Sequence, residues 1–298
     1  MENFKPIPTA KKPDWLKSKI PTGTTFFGIK RDLRKKGLFT VCEEAKCPNI
    51  DSCWNSGTAT LMILGDTCTR ACRFCHIKTG DPAGLLDPKE PEKMADSVRI
   101  MGLDYVVLTM VDRDDLPDGG ASHIAKVIAE IRSVNPETKV EILGGDFNES
   151  ELALERIVSA SPEVFAHNIE TIERLSPRVR DARANYQKSL RVLKAVKELA
   201  RYKIFTKSAL MLGLGEEFEE VEKSLLDLRK HDVDFVTIGQ YMRPTKKHLS
   251  IKKWVHPSEF ERVKERALEL GFLGVASSPL VRSSYRAKEF FESATRNL

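Results

Sequence analysis

Long apolar runs are missing from this chain. None approaches 18 residues, so no membrane-spanning helix is expected. The opening stretch MENFKPIPTAKKPDWLK has no apolar core of the kind that a secretory signal carries, and a cytoplasmic protein with no membrane partner is the expectation. Cysteine is missing from most of the length: residues 76 to 298 contain none. Since nothing points to an oxidising compartment, a disulfide framework is the weaker reading of those cysteines that remain. Repeats of roughly 20 to 50 residues and low-complexity tracts are absent. So are a nucleophile elbow and a metalloprotease His-Glu-x-x-His pair.

What is present is concentrated. All six cysteines lie between Cys42 and Cys75, a window in which uniform scatter would place fewer than one. Charge is uneven as well: residues 1 to 41 carry ten Lys and Arg against three Asp and Glu, while the whole chain is +5, which leaves residues 42 to 298 at −2. The run KRDLRKKG, Lys30 to Gly37, reads either as a solvated helical segment or as a docking patch for an acidic partner. Length alone would allow two domains, but α/β barrels of this size often form one.

From Thr58 onward β-rich runs alternate with helical periods. The runs are 58–64, 104–110, 139–143, 163–168, 203–212 and 234–239, and between them Ile124, Val127, Ile128 and Ile131, or Phe218, Val221, Leu225 and Leu228, repeat at the spacing of one apolar helix face. Six parallel strands covered by helices follow. Just after the strands come polar clusters: GDTCTRACRFC, VDRDDLPDGG, GGDF, HNIE, GLGE and QYMRPT. Any one of these could be turn chemistry. Six in phase point to a single site, because strand C-terminal ends in a parallel barrel share one face.

Cys68, Cys72 and Cys75 are spaced C-x3-C-x2-C on the first of these loops. Three thiolates can hold an iron–sulfur cubane and leave one iron open, whereas a structural zinc site wants four ligands and would have to use the adjacent His76. The loop, with Phe74 before its last cysteine, resembles that of the radical S-adenosylmethionine superfamily, which implies a partial (β/α)6 TIM barrel. The same resemblance implies that Phe74 and the glycines of GLGE, Gly213 and Gly215, lie beside S-adenosylmethionine and that Asn168 and Glu170 hold its ribose. Arg180 and Arg183 are candidates for its carboxylate, with helix-capping roles as the alternative. His167 reads as a core histidine. Asp112, Arg113, Asp114 and Asp115 read as a cavity rim or a surface salt-bridge loop.

The second triplet, Cys42, Cys47 and Cys53, is spaced C-x4-C-x5-C ahead of the barrel. With VDRDDLPDGG and with VRSSY at 281–285, it resembles the lipoyl synthase family from about residue 22 to 287. That resemblance implies an N-terminal extension, 1–57, carrying an auxiliary 4Fe-4S cluster, a barrel over 58–275, and a C-terminal segment, 276–298, whose Ser283 supplies the fourth cluster ligand. Ser284 is the alternative ligand. Read without the resemblance, VRSSYRA is a basic tail entering a helix with serine as its N-cap. Cys68, Cys72, Cys75 and Ser283 are thus the expected catalytic set, with two 4Fe-4S clusters and S-adenosylmethionine as cofactors.

The resemblance further implies insertion of two sulfur atoms, at C6 and C8 of a protein-bound octanoyl-lysine, with the auxiliary cluster as sulfur donor. Such C–H bonds are not acidic, so general bases offer nothing and radical chemistry is required. Expected partners are an octanoylated lipoyl carrier domain or glycine-cleavage H protein, a ferredoxin- or flavodoxin-type electron donor and an iron–sulfur carrier, with no nucleic acid. Alternatives are another sulfur-inserting radical enzyme akin to biotin synthase or the methylthiotransferases, a two-cluster electron carrier, and a zinc-stabilised nucleic-acid binder.

Overall fold

A computed structural model describes residues 12–17, 31, 34–44, 47, 49–50, 53 and 59–296. Most of the basic segment 1–41, the run KRDLRKKG in part, and Thr58 fall outside these residues. The main sheet runs β1 (Phe39–Thr40), β2 (Ala59–Ile63), β5 (Tyr105–Met110), β6 (Lys139–Leu143), β7 (Val164–Ala166), β8 (Phe205–Leu212), β9 (Phe235–Gln240) and β10 (Gly274–Ser277) in that spatial order. A small parallel pair, β3 (Thr67–Cys68) and β4 (Lys78–Thr79), stands apart on the loop after β2.

From β2 to β10 every pairing is parallel, and only β1 runs antiparallel, against β2. All six expected strands are present with ends within two residues of those read from sequence. The count itself is corrected. A seventh parallel strand, β10, follows them and crosses the position where the barrel was expected to end.

Helices make the crossovers that parallel neighbours require. Ile124, Val127, Ile128 and Ile131 of helix Ala121–Val134 are all buried, as are Val221, Leu225 and Leu228 of helix Phe218–Lys230. Helix starts are fixed locally: Ser150 accepts from the Ala153 N–H, Asn185 from the Lys188 N–H, and Glu217 and Glu220 form a capping box.

Because β2 and β10 do not pair with each other, the barrel is partial, and the C-terminal segment occupies its lumen. Ser278 N–H donates to Ile238 O and Gln240 N–H to Pro279 O, so the segment crosses the end of β9. A Cβ on Gly239 would stand 2.1 Å from Val281 O, and only glycine leaves that carbonyl room. Farther along, Thr60 Oγ1 donates to Ser284 Oγ at 2.8 Å. Helix Ala287–Thr295 then closes the opposite end, where Ala287 and Phe291 pack with Tyr105, Val107, Val164, Phe205 and Phe235. Just inside that plug Lys207 Nζ donates to Glu141 at 2.8 Å and Tyr105 donates to the same carboxylate at 2.7 Å. The helix begins on Arg286, in the left-handed region with no side-chain cap, so neither serine is its N-cap.

Candidate active site

A cavity of about 370 Å³ opens at the C-terminal ends of the parallel strands. Five of the six post-strand clusters reach it: Cys68 to His76 from the first, Asp112 from the second, Gly144 and Gly145 from the third, His167, Asn168 and Glu170 from the fourth, and Gln240, Tyr241 and Met242 from the sixth. GLGE does not. Strand β8 contributes Ala209, Leu210 and Met211 instead. Gly213 and Gly215 have φ of 98° and 107°, and at Gly213 a Cβ would meet Gln240 Nε2 at 2.1 Å. These glycines serve the turn and the packing of Gln240, not the cavity wall.

Ionic bonds fix the first cysteine loop to the barrel. Arg70, in the gap between Cys68 and Cys72, is 3% exposed. Its guanidinium donates to Asp146 at 2.7 and 2.8 Å and to Asp114 at 2.8 and 3.0 Å, and it lies 3.6 Å from Asp112. Such bidentate pairs fix orientation as well as distance. Arg70 holds the Asp114 carboxyl down to about 2. Burial alone would raise Asp146, but the bonds from Arg70 outweigh it and keep this carboxyl below its ordinary value. Thr69 adds bonds to Asp112 O and Asp114 Oδ2. Of the expected rim residues, Asp112 lines the cavity, whereas Arg113 is buried against Asp115 and Leu64 O. Nothing in the sequence pattern singled out Arg70 or Asp146. The isolated cation between two cysteines was the available signal.

The chain aims N–H groups at its thiols. Arg70 N–H donates to Cys68 Sγ at 3.4 Å and Asp181 N–H to Cys72 Sγ at 3.3 Å. Backbone donors also reach Cys75 from Ile77, Cys47 from Asn49 and Cys53 from Arg286. Burial pushes the Cys72 thiol up to about 11 and the Cys75 thiol up to about 12. Donors directed at sulfur suit thiolates bound to iron, where N–H···S bonds tune the centre. Both triplets fit such a group. Among the described residues no three His, Cys, Asp or Glu side chains sit close enough to share one metal ion.

Cys42 and Cys53 are buried and Cys47 is half-buried, beside the C-terminal segment. Asn49 Nδ2 donates to Leu280 O at 2.6 Å, tying the two chain ends together. Ser283 lines the cavity, while the Ser284 hydroxyl is engaged with Thr60.

Asn168 Nδ2 donates to Glu170 at 3.1 Å, and Asn168 Oδ1 is buried with no partner. Burial raises the Glu170 carboxyl, with Arg180 and Asn168 opposing. An orphaned amide oxygen beside a carboxylate, both on the wall, can receive a hydroxyl pair. Arg180 is on the same wall and donates to Ser189 Oγ at 2.8 Å. Arg183 is not. It is half exposed and bonded to Asp181, Asp114 and Thr69 O. Phe74 lines the cavity. His167 is a core residue as expected, its ring between Gly144 O and Ser189 Oγ and burial pushing it down to about 4, although one edge also reaches the cavity.

Two family models match: the radical SAM superfamily over residues 62–228, and the N-terminal domain of lipoyl synthase over residues 5–47. Lipoyl synthase of Pyrobaculum arsenaticum is 54% identical over 284 residues, covering 95% of each chain. The mitochondrial lipoyl synthase of Schizosaccharomyces japonicus is 55% identical, over 94% of this chain and 75% of that one. This chain belongs to the lipoyl synthase family. It is an iron–sulfur enzyme of the radical S-adenosylmethionine superfamily with lipoyl synthase activity, and the cofactors are S-adenosylmethionine and two 4Fe-4S clusters. In fold it is similar to methylornithine synthase, with a TM-score of 0.56 at 16% identity over 72% of this chain and 62% of that one. No helix among the described residues is long and apolar enough to cross a membrane.

Proposed function

We propose that Cys68, Cys72 and Cys75 hold the cluster that binds S-adenosylmethionine, that Cys42, Cys47, Cys53 and Ser283 hold the auxiliary cluster, and that the substrate is octanoyl-lysine on a lipoyl carrier domain or glycine-cleavage H protein. Bound together, the first cluster and S-adenosylmethionine supply the one-electron chemistry that unactivated C–H bonds at C6 and C8 demand. The residues supply placement. Asn168 and Glu170 suit the ribose diol, and Arg180 is the cation on the same wall for the carboxylate. Arg183, spent on Asp181 and Asp114, is set aside. Met62, Met110, Val111 and Leu143 give the cavity an apolar wall that suits an acyl tail and excludes water.

The observation that carries this reading is that the first cysteine triplet and Ser283, from opposite ends of the sequence, face one cavity. A ferredoxin- or flavodoxin-type reductant and an iron–sulfur carrier complete the proposal, with the basic N-terminal residues meeting an acidic carrier. We place the enzyme in the compartment where such carriers are made, the cytoplasm for a bacterial or archaeal chain. The test is mass spectrometry of an octanoyl-lysine peptide after anaerobic turnover. Replacement of two hydrogens by two sulfurs is expected, and S-adenosylmethionine cleavage without any sulfur in the peptide would refute the substrate assignment.

A further inference from the structure

Arg282, beside Ser283, differs from Arg70 and Arg180, the other arginines that line the cavity, and from Arg113 and Arg183 at its edge. Arg70 has Asp114 and Asp146, Arg113 has Asp115, and Arg183 has Asp181 and Asp114. Among the charges that favour the cationic form of Arg180, Glu170 acts most strongly. Arg282 lines the cavity and is half-buried, and its Nη1 donates to Val281 O at 2.6 Å. Among the described residues it has no carboxylate partner, and the one ionisable neighbour that favours its charge is Cys47.

Thr237 adds a second unmatched donor. It lies two residues before Gly239 in β9, is 3% exposed, lines the same cavity, and its hydroxyl has no partner. A Cβ on Gly239 would stand 3.2 Å from Arg282 Nη1, so the guanidinium sits over that strand end.

A guanidinium offers five N–H donors and no acceptor, and a cation drawn partly out of water is stabilised by a counter-charge. What the site binds can supply that negative charge. Three thiolates and a serine oxygen around a 4Fe-4S core carry a net charge of about −2. We infer that Arg282 is the counter-charge of the centre held by Cys42, Cys47, Cys53 and Ser283, and that Thr237 supplies a neutral donor to the same space. This inference rests on the ligand assignment proposed above. A fixed cation there favours the reduced form of that centre over the oxidised one.

The test is the midpoint potential of the full-length chain, loaded anaerobically with iron and sulfide, with Cys68, Cys72 and Cys75 changed to Ala so that one centre titrates. With Arg282→Met the reduced-to-oxidised ratio at a fixed potential should fall at least about tenfold, a shift of about 59 mV for one electron. Arg282→Lys should keep more than half of that shift from occurring, and Thr237→Val should give a smaller fall of the same sign. A ratio unchanged within about twofold in Arg282→Met overturns the inference. So does weaker S-adenosylmethionine binding in the otherwise native chain with the midpoint unmoved. If Arg282→Met holds too little iron to titrate, recovery of loading by Arg282→Lys supports the counter-charge and failure of Lys to recover it overturns it. Failure of the ligand assignment is a separate result: the triple-Ala chain with Arg282 intact then binds no iron–sulfur unit.

Discussion

The two cysteine regions are held in place by different physics. The first loop is pinned by charge. Arg70 reaches two carboxylates contributed by the ends of neighbouring strands, and it and Asp146 are closed off from water while Asp114 is partly exposed. Among the described residues the second is tied to the chain's other end by neutral bonds, Asn49 to Leu280 and Thr60 to Ser284, and by the passage of Val281 over Gly239, with only partly exposed ion pairs ahead of Cys42, Lys36 with Asp96 and Arg34 with Glu43. The charged frame resists displacement from one position, since an ion pair broken in the interior leaves an unpaired charge. The neutral frame can open by giving up a few bonds worth about 1 kcal/mol each. That division suits the roles proposed for the two regions, a fixed site for S-adenosylmethionine beside a centre consumed as sulfur donor.

The largest expected effect separates the two regions outright. Cys68→Ala should abolish S-adenosylmethionine cleavage, whereas Cys42→Ala should leave cleavage measurable and stop sulfur insertion. Counting 5′-deoxyadenosine and lipoyl product in the same reactions checks this, and equal loss of cleavage in both variants would end the division of labour. Gly239→Ala comes next. A methyl group 2.1 Å from Val281 O must push the C-terminal segment, and Ser283 with it, off the end of β9. Lipoyl yield should fall at least about tenfold while cleavage falls far less. Equal losses would mean that the segment also shapes the first site.

Arg70→Met probes the charged frame by stability. It leaves Asp146, which is fully buried, and Asp114 without their main partner. A loss of about 3–5 kcal/mol is expected, read as a lower denaturant midpoint of the chain. The variant should also hold iron poorly at the first triplet. Unchanged stability would show that Lys188, 3.8 Å from Asp146, can replace the guanidinium.

Much of this arrangement was legible in the sequence, and the misses share a cause. The six strands and their phase could be read because each depends on local composition. β10 was missed because Gly274–Ser277 is short and carries a glycine and a serine in place of a β-branched run. Arg70 and Asp146 lie 76 residues apart, and no local period links them. Gly213 and Gly215, expected beside the cofactor by resemblance, fall outside the cavity lining, and their positive φ is what the Gly-x-Gly turn demands. The second glycine of GGDF has a cause that only packing reveals: a Cβ on Gly145 would stand 2.6 Å from Asp112 Oδ1. Ser283 and Ser284 are adjacent and chemically alike. Only the passage of the segment through the lumen gives one the cavity and the other Thr60.

That last pair supplies the smallest and most discriminating comparison. Ser283→Ala should cut lipoyl formation severely while the fold keeps its stability, since Ser283 lines the cavity and the change removes one oxygen from its wall. Ser284→Ala removes the acceptor for Thr60 Oγ1, a neutral bond of about 1 kcal/mol. Its melting temperature should fall by only a few degrees, with product per cleavage event nearly unchanged. Thr60→Val should lower stability by a similar amount, and combining it with Ser284→Ala should cost less than the sum, because both remove one bond. The opposite pattern, in which Ser284→Ala uncouples cleavage from product and Ser283→Ala does not, would transfer the ligand role to Ser284. Thr60 Oγ1 would then donate to a cluster ligand, since a serine oxygen bound to iron keeps a lone pair that can accept.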